Sequence, residues 1–289
     1  MKETPNIHKE LQNRLKELHL PTIRSDYEKA ARSAENESMS YESYLNDLAQ
    51  RECDVRRQKR IERMRRLSHL PRDKTMNTFE MKRLPLPVRH RVVSLQEGHF
   101  LDKTENVLAF GNPGSGKTHV LCAIGHELIM KNRTIYYSSC SLLVQDLLIA
   151  KRELKLSKLL KRLSKFEGLI IDDLGYVQQS RDEMEVLFTL LAERYERGSV
   201  MITSNLPFSQ WEKIFKDPMT TAAAIDRLVH HSVILELNVS SYRFEQAQAK
   251  ATTDGSSLVS TDYSQDSDLH DTRHETGEGD GTWDPQDKN

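Results

Sequence analysis

The chain is short of several things. Its 289 residues include only three cysteines, Cys53, Cys122 and Cys140. The number is odd and no two lie at close ligand spacing. That excludes a disulfide framework and a zinc site, so all three read as reduced thiols, with Cys122 and Cys140 in the core. No apolar run approaches the roughly 20 residues that a bilayer-spanning helix needs. The first residues, MKETPNIHKELQNRLKEL, are too charged for a signal-peptide core. A cytoplasmic protein with no membrane partner is expected. Net charge is lacking too: 42 bases meet 43 acids, a formal −1. A uniformly neutral protein has no field to draw it to phosphates.

The charge is not uniform. Residues 252–289 hold ten acids and two bases, a net of −8, and the remaining 40 bases and 33 acids give residues 1–251 a net of +7. The acidic segment is rich in Asp, Ser, Thr and Gly and has few large apolar residues. It cannot bury enough surface to offset its ordering entropy, so a disordered tail is expected.

Residues 6–70 read as helical. Ile7, Leu11, Leu15 and Leu18 recur at the helical period, and Pro21 separates that helix from the next. Ser40 marks a third helix start, with Tyr41, Tyr44, Leu45 and Leu48 as its apolar stripe. From Arg51 to Arg66 there are eight bases and three acids. Arg56, Lys59, Arg60, Arg63 and Arg66 share one face, with Arg57 beside them, while Ile61, Met64 and Leu67 lie towards the other. Such a face suits the phosphates of double-stranded DNA, and it also suits plain solvation. Residues 73–104 read as a connector.

Beyond residue 104 strands alternate with helices. Strands are expected at Asn106–Gly111, Arg133–Ser139, Gly168–Asp173, Ser199–Asn205 and Ser232–Leu237. Helices are expected at 117–131, at 141–165 in one or two pieces, and at 181–197. This alternation argues for an α/β fold, a mostly parallel sheet with helices on both faces.

The strongest motif is Gly111-Asn112-Pro113-Gly114-Ser115-Gly116-Lys117-Thr118. It matches the phosphate loop G-x-x-x-x-G-K-S/T, follows an apolar strand and opens a helix. Glycines let backbone amides turn inward around a polyphosphate, and the helix N-terminus adds positive potential. Lys117 is expected at the β- and γ-phosphates and Thr118 on Mg²⁺, with His119 next in the loop. Leu169-Ile170-Ile171-Asp172-Asp173 is a buried strand that delivers two carboxylates at its C-terminal end, where open α/β sheets bind ligands. Asp172 is expected to hold Mg²⁺, and Asp173 to orient or deprotonate the attacking water. Asn205 ends the next strand and is placed to hold that water; a turn-forming Asn is the alternative. Arg227 and Arg243 can neutralise charge on a transferring phosphoryl, although single arginines are commonly surface residues. His230 and His231 read as packing histidines, and Trp211 with Phe215 as core.

Taken together, GNPGSGKTH, LIIDDLGY, ERYERGSVMITSNLPFSQWEKIF, DRLVHHSVILEL and SYR resemble the IstB-like ATPases, helper proteins of bacterial insertion sequences. These are relatives of the DnaC-type helicase loaders in the AAA+ superfamily. The resemblance implies an AAA+ (ASCE) P-loop NTPase sheet over residues 73–251, preceded by an N-terminal all-α domain over 1–72. It places Asn205 at the sensor-1 position, Arg227 at the arginine-finger position and Arg243 at the sensor-2 position. It implies an Mg²⁺-dependent ATPase in which a homo-oligomer completes the ATP site at its subunit interface. The expected role is to assist transposition on double-stranded DNA, in the nucleoid, by recruiting or stimulating a transposase. A replicative helicase loader shares the same core and is the alternative. Asp173 stands where many AAA+ proteins have Glu, which would slow hydrolysis or leave a nucleotide-gated scaffold. The adenine pocket is sought near the Phe79–Phe100 connector.

Overall fold

A computed structural model describes residues 4–175, 180–215, 218–242 and 245. The side chain of Phe215, the residue Arg243 and the whole acidic tail lie outside the described residues.

Three helices open the chain: α1 (Thr4–Glu17), α2 (Pro21–Asn36) and α3 (Tyr41–Ser68). Ser40 caps α3, its hydroxyl accepting from the Ser43 N–H at 3.2 Å. These helices share a small cluster of Leu15, Tyr27, Ala30 and Leu48, with Leu20, Ile23 and Tyr44 packed at its edge. The apolar stripes are therefore narrower than expected. Ile7, Leu18, Tyr41 and Leu45 are exposed. The reason is geometric: α3 meets α2 along the single i, i+4 row Tyr44, Leu48 and Glu52. Further along α3 the buried positions are Ile61, Met64 and Ser68, and Leu67 is exposed.

Glu52 is a buried carboxylate that caps a neighbouring helix. It accepts from the N–H groups of Thr22 (2.8 Å) and Ile23 (3.2 Å) in the first turn of α2. Those donors have no intrahelical partner. Arg56 donates to the same carboxylate at 2.8 Å. Burial opposes ionisation of Glu52, but the Arg56 and backbone N–H bonds outweigh it and hold the carboxyl below its ordinary range.

The segment expected as a connector is mostly helical and packed. Short 3₁₀ turns at Met76–Thr78 and Met81–Arg83 lead into α4 (Leu86–Gln96) and α5 (His99–Asp102). Leu84, Val88, Val92 and Leu95 are buried at helical spacing, as are Phe100 and Leu101. Pro85 and Pro87 do not break α4, because they lie at its start, where proline is compatible with a helix.

The sheet has five strands: β1 (Asn106–Phe110), β2 (Ile135–Ser139), β3 (Gly168–Leu174), β4 (Ser199–Ser204) and β5 (Ser232–Glu236). Their order is β2-β3-β4-β1-β5 and every pairing is parallel. The middles of the central strands are apolar because both faces are covered. Successive side chains go to opposite faces. Val107, Ala109, Ile170 and Met201 join the ends of α3, α4, α5 and α6 (Lys117–Met130) on one side. Leu108, Leu169, Ile171, Val200 and Ile202 join the other core cluster. That face carries α7 (Cys140–Arg152), α8 (Leu156–Leu163), α9 (Arg181–Arg194), α10 (Glu212–Phe215) and α11 (Pro218–Val229). Helix α9 stops at Arg194, three residues earlier than expected. The buried Arg194 donates to the carbonyls of Leu163, Phe166, Glu167 and Ser199. It fills the space where a Cβ on Gly198 would lie 2.6 Å from its Nη2.

Cys122 and Cys140 are buried, as expected, and Cys53 is exposed. Trp211 is fully buried. His230 and His231 pack against each other edge-on, 4.2 Å between ring centres. No cluster of three metal-ligating residues exists among the described residues. No helix among them is long and apolar enough to cross a membrane.

Candidate functional site

Strand order decides where the site lies. β4 sits between β1, which feeds the phosphate loop, and β3, which ends in the two carboxylates. The C-terminal ends of all three strands therefore open on the same edge of the sheet. A cavity of about 580 Å³ occupies that edge, within the range of small-molecule sites. Pro113, Gly114, Ser115, Gly116, Lys117, Thr118 and His119 form one wall, and Asp173 and Asn205 face it.

The loop adopts backbone angles that suit glycine. Gly114 has φ +81° and Gly116 φ +93°. Space is equally restrictive: a Cβ on Gly114 would lie 2.1 Å from the Ser241 hydroxyl, and one on Gly111 would lie 2.5 Å from the Leu237 carbonyl oxygen. The Lys117 ammonium is buried and donates to the carbonyls of Gly111 (2.8 Å) and Asn112 (3.0 Å). The buried Ser115 hydroxyl lines the cavity with no hydrogen-bond partner among the described residues. An orphaned donor, a buried cation and a helix N-terminus at one loop fit a polyphosphate.

Asp172 is buried, and its two oxygens have separate donors. The Tyr137 hydroxyl donates to Oδ2 at 2.9 Å and the Thr203 hydroxyl to Oδ1 at 2.6 Å. Burial, then the charge of Asp172, pushes the Tyr137 phenol up, so it stays a donor at neutral pH. Asp173 is exposed to the cavity, with φ +59°. That is left-handed backbone, uncommon for a residue with a Cβ. The strand pairing of β3 with β4 is irregular between Ile171 and Leu174, at the same place. Burial and then the Asp172 charge push the nearby Cys122 thiol up to about 12, so it is inert.

His119 packs on the ring of Phe79, 5.1 Å between centres, and its Nε2 lies 3.1 Å from the Thr78 hydroxyl. Burial lowers its pKa. Phe79, Glu80, Arg83 and Leu84 continue the cavity wall, and Val239 and Tyr242 complete it. The near end of the Phe79–Phe100 segment thus reaches the site, whereas Phe100 is in the core. Arg83 stacks over Tyr242 at 4.9 Å and pairs with Glu245 at 2.7 Å, tying the connector to the chain after β5. This contact had no local sequence signal, since the two segments lie about 160 residues apart.

Arg227 is not in the cavity wall. Its guanidinium lies over the Phe188 ring at 4.7 Å, on the α9–α11 side of the sheet. In the basic stretch of α3, Arg56 and Arg60 have protein partners. Arg56 holds Glu52 and also donates to the His19 carbonyl, and Arg60 reaches the Asn132 side chain at 3.5 Å. Arg57, Lys59, Arg63 and Arg66 are exposed. A second basic surface escaped the sequence reading. Lys155, Lys158, Lys161, Arg162 and Lys165 line a hollow of about 600 Å³ beside α7 and α8. Their spacing in KLSKLLKRLSK was the available signal.

Comparison with known proteins agrees with this fold. AMPPCP-bound DnaA from Aquifex aeolicus matches with a TM-score of 0.51, covering 64% of this chain and 57% of that one at 16% identity. The likeness is one of fold. A protein of Sinorhizobium fredii named as an insertion sequence ATP-binding protein (y4iQ/y4nD/y4sD) is 39% identical over 276 residues, 91% of this chain and 93% of its own length. The ATP-binding protein named for insertion sequence IS21 of Pseudomonas aeruginosa is 32% identical, covering 88% of this chain and 96% of its own length. The profile described as IstB-like ATP binding protein matches residues 13–251. This chain belongs to the IstB-like ATP-binding proteins.

Proposed function

We propose that the protein is an ATPase that binds double-stranded DNA and assists transposition, by assembling on the DNA and recruiting or stimulating a transposase. The observation that carries the nucleotide chemistry is the convergence of the phosphate loop, Asp173 and Asn205 on one cavity, with Asp172 buried beside it. The loop amides and Lys117 bind the β- and γ-phosphates of ATP. Thr118 and Asp172, an oxygen-only donor pair of the kind Mg²⁺ prefers, hold the metal. Bound there, Mg²⁺ offsets phosphate charge. Asp173 takes a proton from the attacking water, and Asn205 orients that water against the γ-phosphate. Arg227 acts in the site of a neighbouring subunit. Its absence from the wall of its own cavity supports that assignment. Arg243, at the sensor-2 position by its resemblance to the family, is assigned to the phosphates.

DNA is gripped through its phosphates by the exposed bases of α3, with the basic hollow beside α8 as a further contact. Such a grip weakens steeply with salt and varies little with sequence. Association with insertion sequences among relatives favours a transposase as the protein partner. Fluorescent-nucleotide binding and phosphate release test the site. Lys117→Ala is expected to lose binding. Asp172→Asn and Asp173→Asn are expected to bind ATP and turn over about 100-fold more slowly. Unchanged binding and turnover in Lys117→Ala would refute the assignment.

A further inference from the structure

The Thr203 hydroxyl is shared between the two carboxylate residues of the site. It donates to Asp172 Oδ1 at 2.6 Å and accepts from the Asp173 N–H at 2.8 Å. Its single hydrogen is committed to Asp172, and a lone pair on the same oxygen receives the Asp173 N–H. Thr203 is fully buried, so no water competes for them. The Asp173 bond falls where strand pairing breaks and where the backbone turns left-handed. A left-handed residue with a Cβ persists only where its surroundings over-determine it. Here the surroundings include a side chain of the neighbouring strand. On the opposite side of Asp172, Tyr137 of β2 donates to Oδ2 at 2.9 Å.

We propose that Thr203 is a positioning residue that sets the Asp172 carboxylate and the Asp173 backbone together, with Tyr137 fixing the second oxygen of Asp172. The inference rests on the assignment of Asp172 and Asp173 to ATP hydrolysis. Its physical content is coupling. The donor that fixes how Asp172 presents its oxygens also fixes the turn that aims Asp173 into the cavity. One hydroxyl therefore keeps metal ligand and base in register. Tyr137 acts on Asp172 alone, so the two donors differ in what they control.

The full-length protein carrying Thr203→Val tests this, because valine keeps the shape and loses both bonds. Nucleotide affinity without Mg²⁺ is expected to stay within about twofold, since neither bond reaches the phosphate loop. The turnover number is expected to fall roughly ten- to a hundredfold, the range for losing a hydrogen bond to a charged group. The Mg²⁺ concentration for half-maximal turnover is expected to rise. Thr203→Ser keeps the hydroxyl and is expected to restore both. Tyr137→Phe is expected to raise the Mg²⁺ requirement with a smaller loss of turnover, because the Asp173 turn is untouched. That variant decides the Asp172 arm even if Thr203→Val melts below the assay temperature. Asp172→Asn separates the two levels. If it abolishes turnover while Thr203→Val and Tyr137→Phe match wild type in turnover and Mg²⁺ requirement, the positioning role is wrong. If Asp172→Asn itself turns over normally, the site assignment beneath it is wrong.

Discussion

Glu52 shows how far a single side chain reaches in this protein. Buried in α3, it serves the first turn of α2 and is held ionised by Arg56. Its Glu52→Gln substitution is expected to cost about 1–3 kcal/mol at neutral pH, measured by denaturant unfolding. The pH dependence has a definite sign. The folded-state pKa lies below the unfolded one, so the stabilisation is full above the ordinary glutamate value of about 4.3 and is lost as pH falls through the depressed value. The difference in melting temperature between wild type and Glu52→Gln should therefore narrow as pH falls below about 4.3. A constant gap would mean that the carboxylate charge contributes nothing. Legibility differed sharply at this scale. Gly111–Thr118 could be read directly, because its chemistry is contiguous in sequence. Thr203 and Tyr137 could not, because each meets Asp172 across a strand pairing more than 30 residues away.

Among the elements, α3 is the one whose role divides along its length. Its first half packs on α2 through Tyr44, Leu48 and Glu52, and its second half packs on the core beside the sheet through Ile61 and Met64. The basic face expected from spacing is therefore only partly available. Arg56 and Arg60 are engaged within the protein, and Lys59, Arg63 and Arg66 remain exposed. Changing those three to Glu is expected to weaken duplex DNA binding at low salt. It should also reduce the slope of log affinity against log salt by about 3, or roughly one per lost phosphate contact. An unchanged slope in a salt titration would move the DNA contact elsewhere, with the basic hollow beside α8 as the next candidate. The strands were legible because both sheet faces are covered, leaving continuous apolar runs. Helix α4 was not, since proline interrupts most helical patterns and Pro85 and Pro87 open this one.

For the whole molecule, the near-zero net charge is a sum of a basic body and an acidic segment. If residues 252–289 compete with DNA for the basic faces, deleting them should raise DNA affinity, most at low salt where the attraction is least screened. Equal affinity with and without the segment would make it a bystander. On the proposed function, ATP turnover depends on assembly, with Arg227 acting in a neighbour's site, and DNA promotes it. Turnover per subunit, followed across protein concentration with and without duplex DNA, tests this most directly. The expected result is activity that rises with concentration, a rise that DNA moves to lower concentration, and a flat, low profile for Arg227→Ala. Turnover per subunit that is the same at every concentration, indifferent to DNA and unchanged in Arg227→Ala, would contradict it.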